Sequence, residues 1–305
     1  MKPVIGISAC LAGQQVRYNG SSMKHSWIED DLAKHAELVP CCPEMAMGLG
    51  SPRNAMRLVR TEAGIRLKEV NSDKDLTDLA EQVSTDLAAG LPQLDAYILA
   101  AKSPTCGLER IKVYSAGVPF NDGTGIFARK LTELRPDLLV IESGRLHNEE
   151  LRDQFLKALF TMARFNRITK SRSALQEFHR RHKFSLLAHH PEKMRLLGRI
   201  AAAGDSPVED QFSSYRRGLV ELLKIQPSRG RIVNALEHMY GFVKETPDGQ
   251  KKYFFETLEK FRTGKITADI PLKLLEMIHA GQPHSYLREQ FAWRPVGDLE
   301  IRHVI

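Results

Sequence analysis

The sequence has no low-complexity tract, no long apolar run and few cysteines, and each absence removes a class of protein. The longest aliphatic runs, such as Leu138 to Ile141, are strand-sized and far below the ~18 apolar residues that a membrane span requires, so no membrane partner is expected. With 42% hydrophobic and 27% charged residues in 305, the composition is that of a globular chain and excludes a disordered or fibrous one. The four cysteines, Cys10, Cys41, Cys42 and Cys106, are too few and too unevenly spaced for a disulfide framework, and they lack the close Cys-x2-Cys pairs of a structural zinc site. Ile7-Ser8-Ala9-Cys10 imitates the cleavage box of a bacterial lipoprotein. Only nine residues precede Cys10, however, and Pro3 is among them, which leaves no room for a charged region and an apolar one, so a cytoplasmic location is expected.

Charge divides the chain. Lys and Arg number 17 against 20 Asp and Glu in residues 1–150, and 27 against 17 in residues 151–305, giving −3 and +10. All four cysteines lie in the first half and eight of the eleven histidines in the second. In the first half, strand patterns at Lys2 to Ala9, Glu37 to Cys41, Ala96 to Ala101 and Leu138 to Glu142 alternate with helical ones at Ser26 to Ala36, Leu76 to Leu87 and Thr124 to Leu134, and a hairpin is expected from Arg57 to Val70. Strands separated by helices imply right-handed crossovers and a mostly parallel sheet, hence an α/β domain of Rossmann-like three-layer sandwich form. After Ser143-Gly144 the pattern is helical throughout: Glu149 to Ile168, Ala174 to His190, Pro191 to Ala203, Val208 to Leu223, Arg231 to Lys244, Tyr253 to Phe261 and Pro271 to His279. An all-α domain is therefore expected over residues 147–305, after an α/β domain over residues 1–146.

The cysteines fall at informative places. Cys10 ends the first strand, Cys41 and Cys42 end the second, and Cys106 lies five residues past the strand Ala96 to Ala101. In a parallel sheet the carboxyl ends of strands share one edge, where ligands bind. Adjacent Cys41 and Cys42 point opposite ways on a strand, so one of them at most joins a common site. Spacing alone leaves two readings open, buried unreactive thiols or a three-thiolate metal site.

At these residues the sequence resembles the bacterial thiouracil desulfidase family. The resemblance rests on six motifs in order: Ser8-Ala9-Cys10-Leu11-Ala12-Gly13, Arg17-Tyr18-Asn19-Gly20, Cys42-Pro43-Glu44, Ser51-Pro52-Arg53, Lys102-Ser103-Pro104-Thr105-Cys106-Gly107 and Asp122-Gly123-Thr124-Gly125. Asn19 and Thr105 stand where many members have Asp and Ser. The helical remainder is similar, through more diffuse motifs, to the domain fused to it in the longer members, the tRNA 4-thiouridine desulfidases called RudS. The resemblance implies a 4Fe-4S cluster held by Cys10, Cys42 and Cys106, with one iron open to bind the thiocarbonyl sulfur as a soft Lewis acid. It also implies Glu44 as catalytic acid/base and Ser103 as an aid to proton transfer, while Cys41 has no counterpart role.

Arg17 and Arg53 are candidates for substrate or phosphate contact. Gly123-Thr124-Gly125 precedes a helix and is a candidate anion turn through Thr124, although it lacks the third glycine of a dinucleotide fingerprint. From Leu151 to His190 there are nine Lys and Arg against two Asp and Glu. The densest part, Arg164, Arg167, Lys170, Arg172, Arg180, Arg181 and Lys183, suits a phosphate backbone. Phe165, Phe178 and Phe184 lie among them at helical spacing and read as core rather than as stacking partners for bases. No sequence-reading signature is present, so binding is expected to rest on phosphate contacts and RNA shape.

The expected function is thus the iron-sulfur-dependent conversion of 4-thiouridine in tRNA to uridine with release of hydrogen sulfide, without an obligate protein partner. Two alternatives stay open: a desulfidase of free thiolated bases or nucleosides, for which the basic half has no evident use, and a non-enzymatic iron-sulfur sensor that binds nucleic acid.

Overall fold

The structure is a computed structural model and describes residues 1–243 and 245–296. Lys244, where the expected helix Arg231 to Lys244 ends, and residues 297–305 of the expected helical domain lie outside the described residues. The chain forms two compact units, Met1–Ala163 and Arg164–Ile305. After the short 3-10 turn Ser143–His147 the structure is helical, and the compact division falls in the last turn of the helix that follows, Glu149–Phe165.

The first unit contains two four-stranded sheets. One is all parallel, in the order β2 (Glu37–Cys41), β1 (Val4–Ser8), β5 (Ala96–Leu99), β8 (Val140–Glu142). Its central strands are apolar on both faces: Ile5, Ile7, Tyr97, Ile98 and Leu99 have no exposed surface, as a sheet covered on both sides requires. Gly6 lies where a Cβ would fall 2.3 Å from the Tyr97 ring, so only glycine lets that ring lie across β1. The other sheet, in the order β4 (Gly64–Glu69), β3 (Met56–Thr61), β6 (Ile111–Ser115), β7 (Val118–Gly123), joins two hairpins through the parallel pair β3 and β6. Patterning gave the β3–β4 hairpin and passed over the second. Its signals were the buried Ile111 and Val113 flanking exposed Lys112, and a two-residue turn, Ala116-Gly117, with both φ positive. Leu58, Leu67, Ile111 and Val113 pack with Leu76, Ala80 and Ile126 into a second core.

The helices of this unit are α1 (Ala33–His35), α2 (Pro43–Ala46), α3 (Thr77–Gly90), α4 (Ile126–Leu134) and α5 (Glu149–Phe165). The expected helix over 26–36 is instead a wide-turned π segment, Ile28–Leu32, running into the single turn α1.

The second unit continues with α6 (Arg172–His189), α7 (Pro191–Ala202), α8 (Val208–Leu223), α9 (Arg229–Tyr240), α10 (Asp248–Arg262), α11 (Asp269–Gly281) and the turn α12 (Ser285–Arg288). Ser171 and Ser228 cap α6 and α9 through their hydroxyls, and Pro191 opens α7. Phe165 packs against Phe178 and Tyr215 with ring centroids 5.4 and 5.6 Å apart, and Phe184 is buried too, so the three phenylalanines are core as expected. Among all described residues no helix is long and apolar enough to cross a membrane.

His182 is a buried titratable group in the core of the second unit. It is 1% exposed and stacked between Phe178 and Phe291 at 4.0 and 4.4 Å, and its Nδ1–H donates to the Phe178 carbonyl at 2.8 Å. Burial pulls its pKa down to about 3. An unfolded imidazole takes up its proton near pH 6.5, so the unfolded state binds more protons below that pH and stability falls from pH 6.5 toward 3. The melting temperature should therefore drop across this window, and His182→Phe, which keeps the stack but has no proton to bind, should make the drop shallower. An unchanged drop in calorimetry of that variant would contradict this account.

Candidate functional site

Three chain segments leave adjacent strands of the parallel sheet at the same edge, each carrying one thiol. Cys10 sits in the 3-10 turn Ala9–Ala12 that follows β1, Cys42 is the N-cap of α2 just past β2, and Cys106 lies in the loop beyond β5. Cys106 is buried, while Cys10 and Cys42 are half-buried. Burial pushes the Cys10 thiol up to about 11, with Cys42 and Glu44 pushing the same way and Arg17 opposing. Burial also raises Cys106, and the charges of Glu44 and Cys10 add to it. Cys42 is raised by burial and by Glu44. The thiols thus act on one another, and Glu44 acts on all three. Cys41 is the last residue of β2 and is buried, whereas Cys42 lies just past the strand and is half-buried.

Glu44, in the first turn of α2, is held at both oxygens. Oε2 accepts from the Arg53 guanidinium, and Oε1 accepts from the Thr105 hydroxyl at 2.8 Å. The Arg53 and Glu44 side chains are 5% and 13% exposed, and removing one partner from so buried an ion pair costs about 3–5 kcal/mol. Arg53 also donates to the carbonyls of Gly50 at 2.6 Å and Val16 at 2.8 Å, while Ser51 donates to those of Gln15 and Arg17. The Ser51-Pro52-Arg53 motif therefore fastens the 15–18 loop to the carboxylate. Both terminal nitrogens of Arg53 thus donate to protein acceptors. Arg17 is half-buried, bonded to Ser21 at 3.2 Å and near enough to Cys10 to act on its thiol.

Ser103 shapes the Cys106 loop. Its hydroxyl oxygen accepts from the Cys106 and Thr105 amides at 3.0 and 3.3 Å and lies 3.0 Å from the Thr105 hydroxyl. Lys102, just before it, has φ of 61°, a left-handed conformation uncommon for a residue with a Cβ. Thr105 is 1% exposed and joins Ser103 to Glu44, a role that inspection of the motif alone passed over.

The Asp122-Gly123-Thr124-Gly125 turn does something other than offer amides to an anion. The amides of Gly125, Ile126 and Ala128 donate to the carbonyls of Gly107, Pro104 and Thr105, so the start of α4 grips the Cys106 loop, while Thr124 itself is exposed. A Cβ on Gly125 would lie 2.5 Å from the Thr105 carbonyl oxygen and 2.9 Å from the Cys106 nitrogen, both backbone atoms.

In the second unit the basic residues separate into two groups. Arg164 and Arg181 lie over the Phe291 ring at 4.1 and 4.7 Å, and Arg180 pairs with Glu177 at 2.7 Å and with Glu289, so these three fasten α6 and its approach to the 286–294 segment. Arg167, Lys170, Arg172 and Lys183 have exposed side chains, with Arg172 donating to the Ser206 carbonyl at 2.5 Å.

Among the described residues no three His, Cys, Asp or Glu lie close enough to hold a single metal ion. The three residues that follow the strand ends are nonetheless all thiols, and Cys10 is coupled to Cys42 and Cys106 to Cys10. A polynuclear iron-sulfur group, which takes its thiolates on separate irons, fits such a set better than one ion does.

Residues 5–143 match the model of the family described as 2-thiouracil desulfurase, and residues 183–296 match that of a protein family of unknown function, DUF1722. The chain is 25% identical over 144 residues to the uncharacterised protein YbgA of Escherichia coli, which covers 45% of this chain and 85% of that protein. It is 29% identical over 111 residues to the uncharacterised protein YbbK of Bacillus subtilis, covering 34% and 73%. The solved structure of the 4Fe-4S-dependent thiouracil desulfidase TudS is 29% identical, covers 48% of this chain and 94% of that chain, and superposes with a TM-score of 0.35.

Two substitutions test the thiol set through iron content after anaerobic reconstitution. Cys41→Ala should retain wild-type iron, because Cys41 belongs to β2 itself while Cys42, past the strand end, takes the place in the thiol set. Gly125→Ala should lose most of the iron while keeping its circular dichroism, because the new Cβ displaces the backbone that presents Cys106. Iron lost in the first variant, or kept in the second, would contradict the assignment.

Proposed function

We propose that this chain, whose residues 5–143 match the 2-thiouracil desulfurase family model, is an iron-sulfur-dependent desulfidase that converts 4-thiouridine in tRNA to uridine with release of hydrogen sulfide. The observation that carries the chemistry is the position of Glu44, which acts on Cys10, Cys42 and Cys106 together and is held at both carboxylate oxygens.

Cys10, Cys42 and Cys106 would hold a 4Fe-4S cluster. When bound, it supplies an iron free of protein ligands, a soft Lewis acid suited to a thiocarbonyl sulfur. The net reaction is hydrolysis, with water in and hydrogen sulfide out, and needs no oxidant or reductant. The residues of the chain must then move protons. Glu44 accepts one proton from the water that attacks the sulfur-bearing carbon and passes it to the departing sulfur, then does the same with the proton that the new hydroxyl loses as the carbonyl forms, so both water protons leave on hydrogen sulfide; positioned acid/base groups of this kind contribute about 10²–10⁴-fold. Arg53 fixes the carboxylate through its second oxygen, and Ser103 sets the loop that presents Cys106.

The macromolecular substrate is supported by the +10 of residues 151–305 and by the exposed Arg167, Lys170, Arg172 and Lys183. For a folded tRNA the thiolated base has to leave its stack to reach a recessed site. A second reading, action on free thiolated bases, is favoured by a different observation: Arg164, Arg180 and Arg181, the heart of the basic run, are spent on contacts within their own unit. A non-enzymatic sensor would leave a carboxylate so firmly held beside the thiols without a task.

Anaerobic incubation of reconstituted protein with bulk tRNA, and separately with free 4-thiouracil, divides the readings by nucleoside chromatography. Conversion in tRNA at the higher kcat/KM is expected, together with tRNA affinity that falls steeply as salt rises. Turnover confined to the free base, or salt-independent tRNA affinity, would overturn the tRNA assignment.

A further inference from the structure

Tyr18 has a fastened backbone and an uncovered ring. Its carbonyl accepts from the Arg53 amide at 2.8 Å, and the neighbouring Arg17 carbonyl accepts from the Ser51 hydroxyl at 3.0 Å and the Gly20 amide at 2.9 Å. Asn19 Oδ1 accepts from the Ser21 amide and hydroxyl at 3.2 and 2.7 Å, and the Arg17 amide donates to the Ser21 carbonyl at 3.1 Å, so residues 17–21 also close on themselves. Ordering such a turn has an entropic cost. The ring it carries is nevertheless 47% exposed. The turn is fixed at the rim of the thiol set: the Arg17 guanidinium lies 5.9 Å from the centre of the Tyr18 ring and acts on the Cys10 thiol. Arg53, which holds the Tyr18 peptide, also holds Glu44, and its Nη1 lies 3.9 Å from the sulfur of Met45, a second large apolar side chain left 38% exposed. Exposed apolar side chains scattered singly need no explanation. Here two of them, from different segments, are tied through one residue to the carboxylate that acts on the thiols.

From this we infer that Tyr18 and Met45 bind the thiolated base by its faces, the ring by stacking and the thioether by dispersion, and so direct its thiocarbonyl toward the thiols. The inference rests on the desulfidase reading, which supplies the base. A thiolated pyrimidine is a flat ring bearing a large polarisable sulfur, and an aromatic ring and a thioether suit it together. A base drawn out of an RNA stack loses its neighbours. Stacking on an aromatic side chain replaces one of them, and it does so without reading the base's edges. The substrate class that such a site takes is the planar heterocyclic thione, as a free base or within a nucleotide, whereas a saturated, puckered ring cannot lie flat on Tyr18.

The test measures base binding with and without turnover. In reconstituted protein acting on 4-thiouracil, Tyr18→Ala should raise KM about tenfold and Met45→Ala about threefold, with iron content unchanged and kcat lowered less than about threefold. Tyr18→Phe, which keeps the ring, should stay within about twofold of the wild-type KM. A second readout needs neither cluster nor turnover, because a thiolated base is itself a contact photo-crosslinker. Near-ultraviolet irradiation of cluster-free protein saturated with 4-thiouracil, followed by peptide mass spectrometry, should place adducts on the peptides that carry Tyr18 and Met45. Wild-type KM in Tyr18→Ala, as large a rise in Tyr18→Phe as in Tyr18→Ala, or adducts absent from both peptides would each overturn the base site. If wild-type protein desulfurates nothing, the desulfidase reading falls and the adducts alone decide whether a base binds here, whereas an active wild type with an unchanged KM in Tyr18→Ala removes the base site alone.

Discussion

Three parallel strands, β2, β1 and β5, end side by side, and the chemistry of the first unit depends on what the chain does immediately past each end. β1 turns into a 3-10 helix that carries Cys10, β2 into the N-cap that is Cys42, and β5 into the loop that bends back to Cys106. Thiols separated by tens of residues come to one edge of the sheet because parallel neighbours must finish there. Burying them has a cost, visible in the raised thiols of Cys10 and Cys106, where each would-be thiolate feels the next. An arrangement that is unfavourable for free thiolates becomes favourable once a cationic iron-sulfur group takes them as ligands.

The carboxylate among those thiols is the other half of the arrangement. Without its two partners Glu44 would be one more negative group in a place already crowded with potential negative charge. Arg53 supplies the opposing charge, and the 15–18 loop, tied to the same guanidinium, keeps that charge in place. Thr105 supplies the second bond and links the carboxylate to the loop of Cys106. Two cysteine segments and the loop beyond a third are thereby referenced to a single side chain. The second unit brings a different asset, a cationic surface whose inner arginines are consumed in holding α6 and its approach to the 286–294 segment, and whose outer basic side chains reach solvent.

Much of this was legible in the sequence, for identifiable reasons. Fully buried strands such as β1 and β5 are continuous apolar runs, so the parallel sheet and its Cys-bearing ends were readable. The second sheet was half missed because β7 is an edge strand with exposed residues, Val118 and Phe120 among them, and Pro119 within it, so its pattern resembles a loop. Roles that depend on hydrogen bonds between distant segments were not legible at all. Arg53 was a candidate for substrate or phosphate contact, and nothing in its motif named Glu44 as its partner; Thr124 read as a turn for an anion when its neighbours' amides grip the Cys106 loop, and Thr105 read as a conservative replacement. In each case the residue type was informative and its partner was fixed only by tertiary structure.

The central claim is that three cysteines hold a four-iron cluster with one iron left for the substrate. Mössbauer spectroscopy of ⁵⁷Fe-reconstituted protein, recorded with and without 4-thiouracil under anaerobic conditions, tests it most directly. The account predicts a four-iron cluster in which one iron site is distinct and alone changes its parameters when the thiolated base is added. A cluster whose irons are all indifferent to the base, or a protein that retains no iron at all, would contradict it.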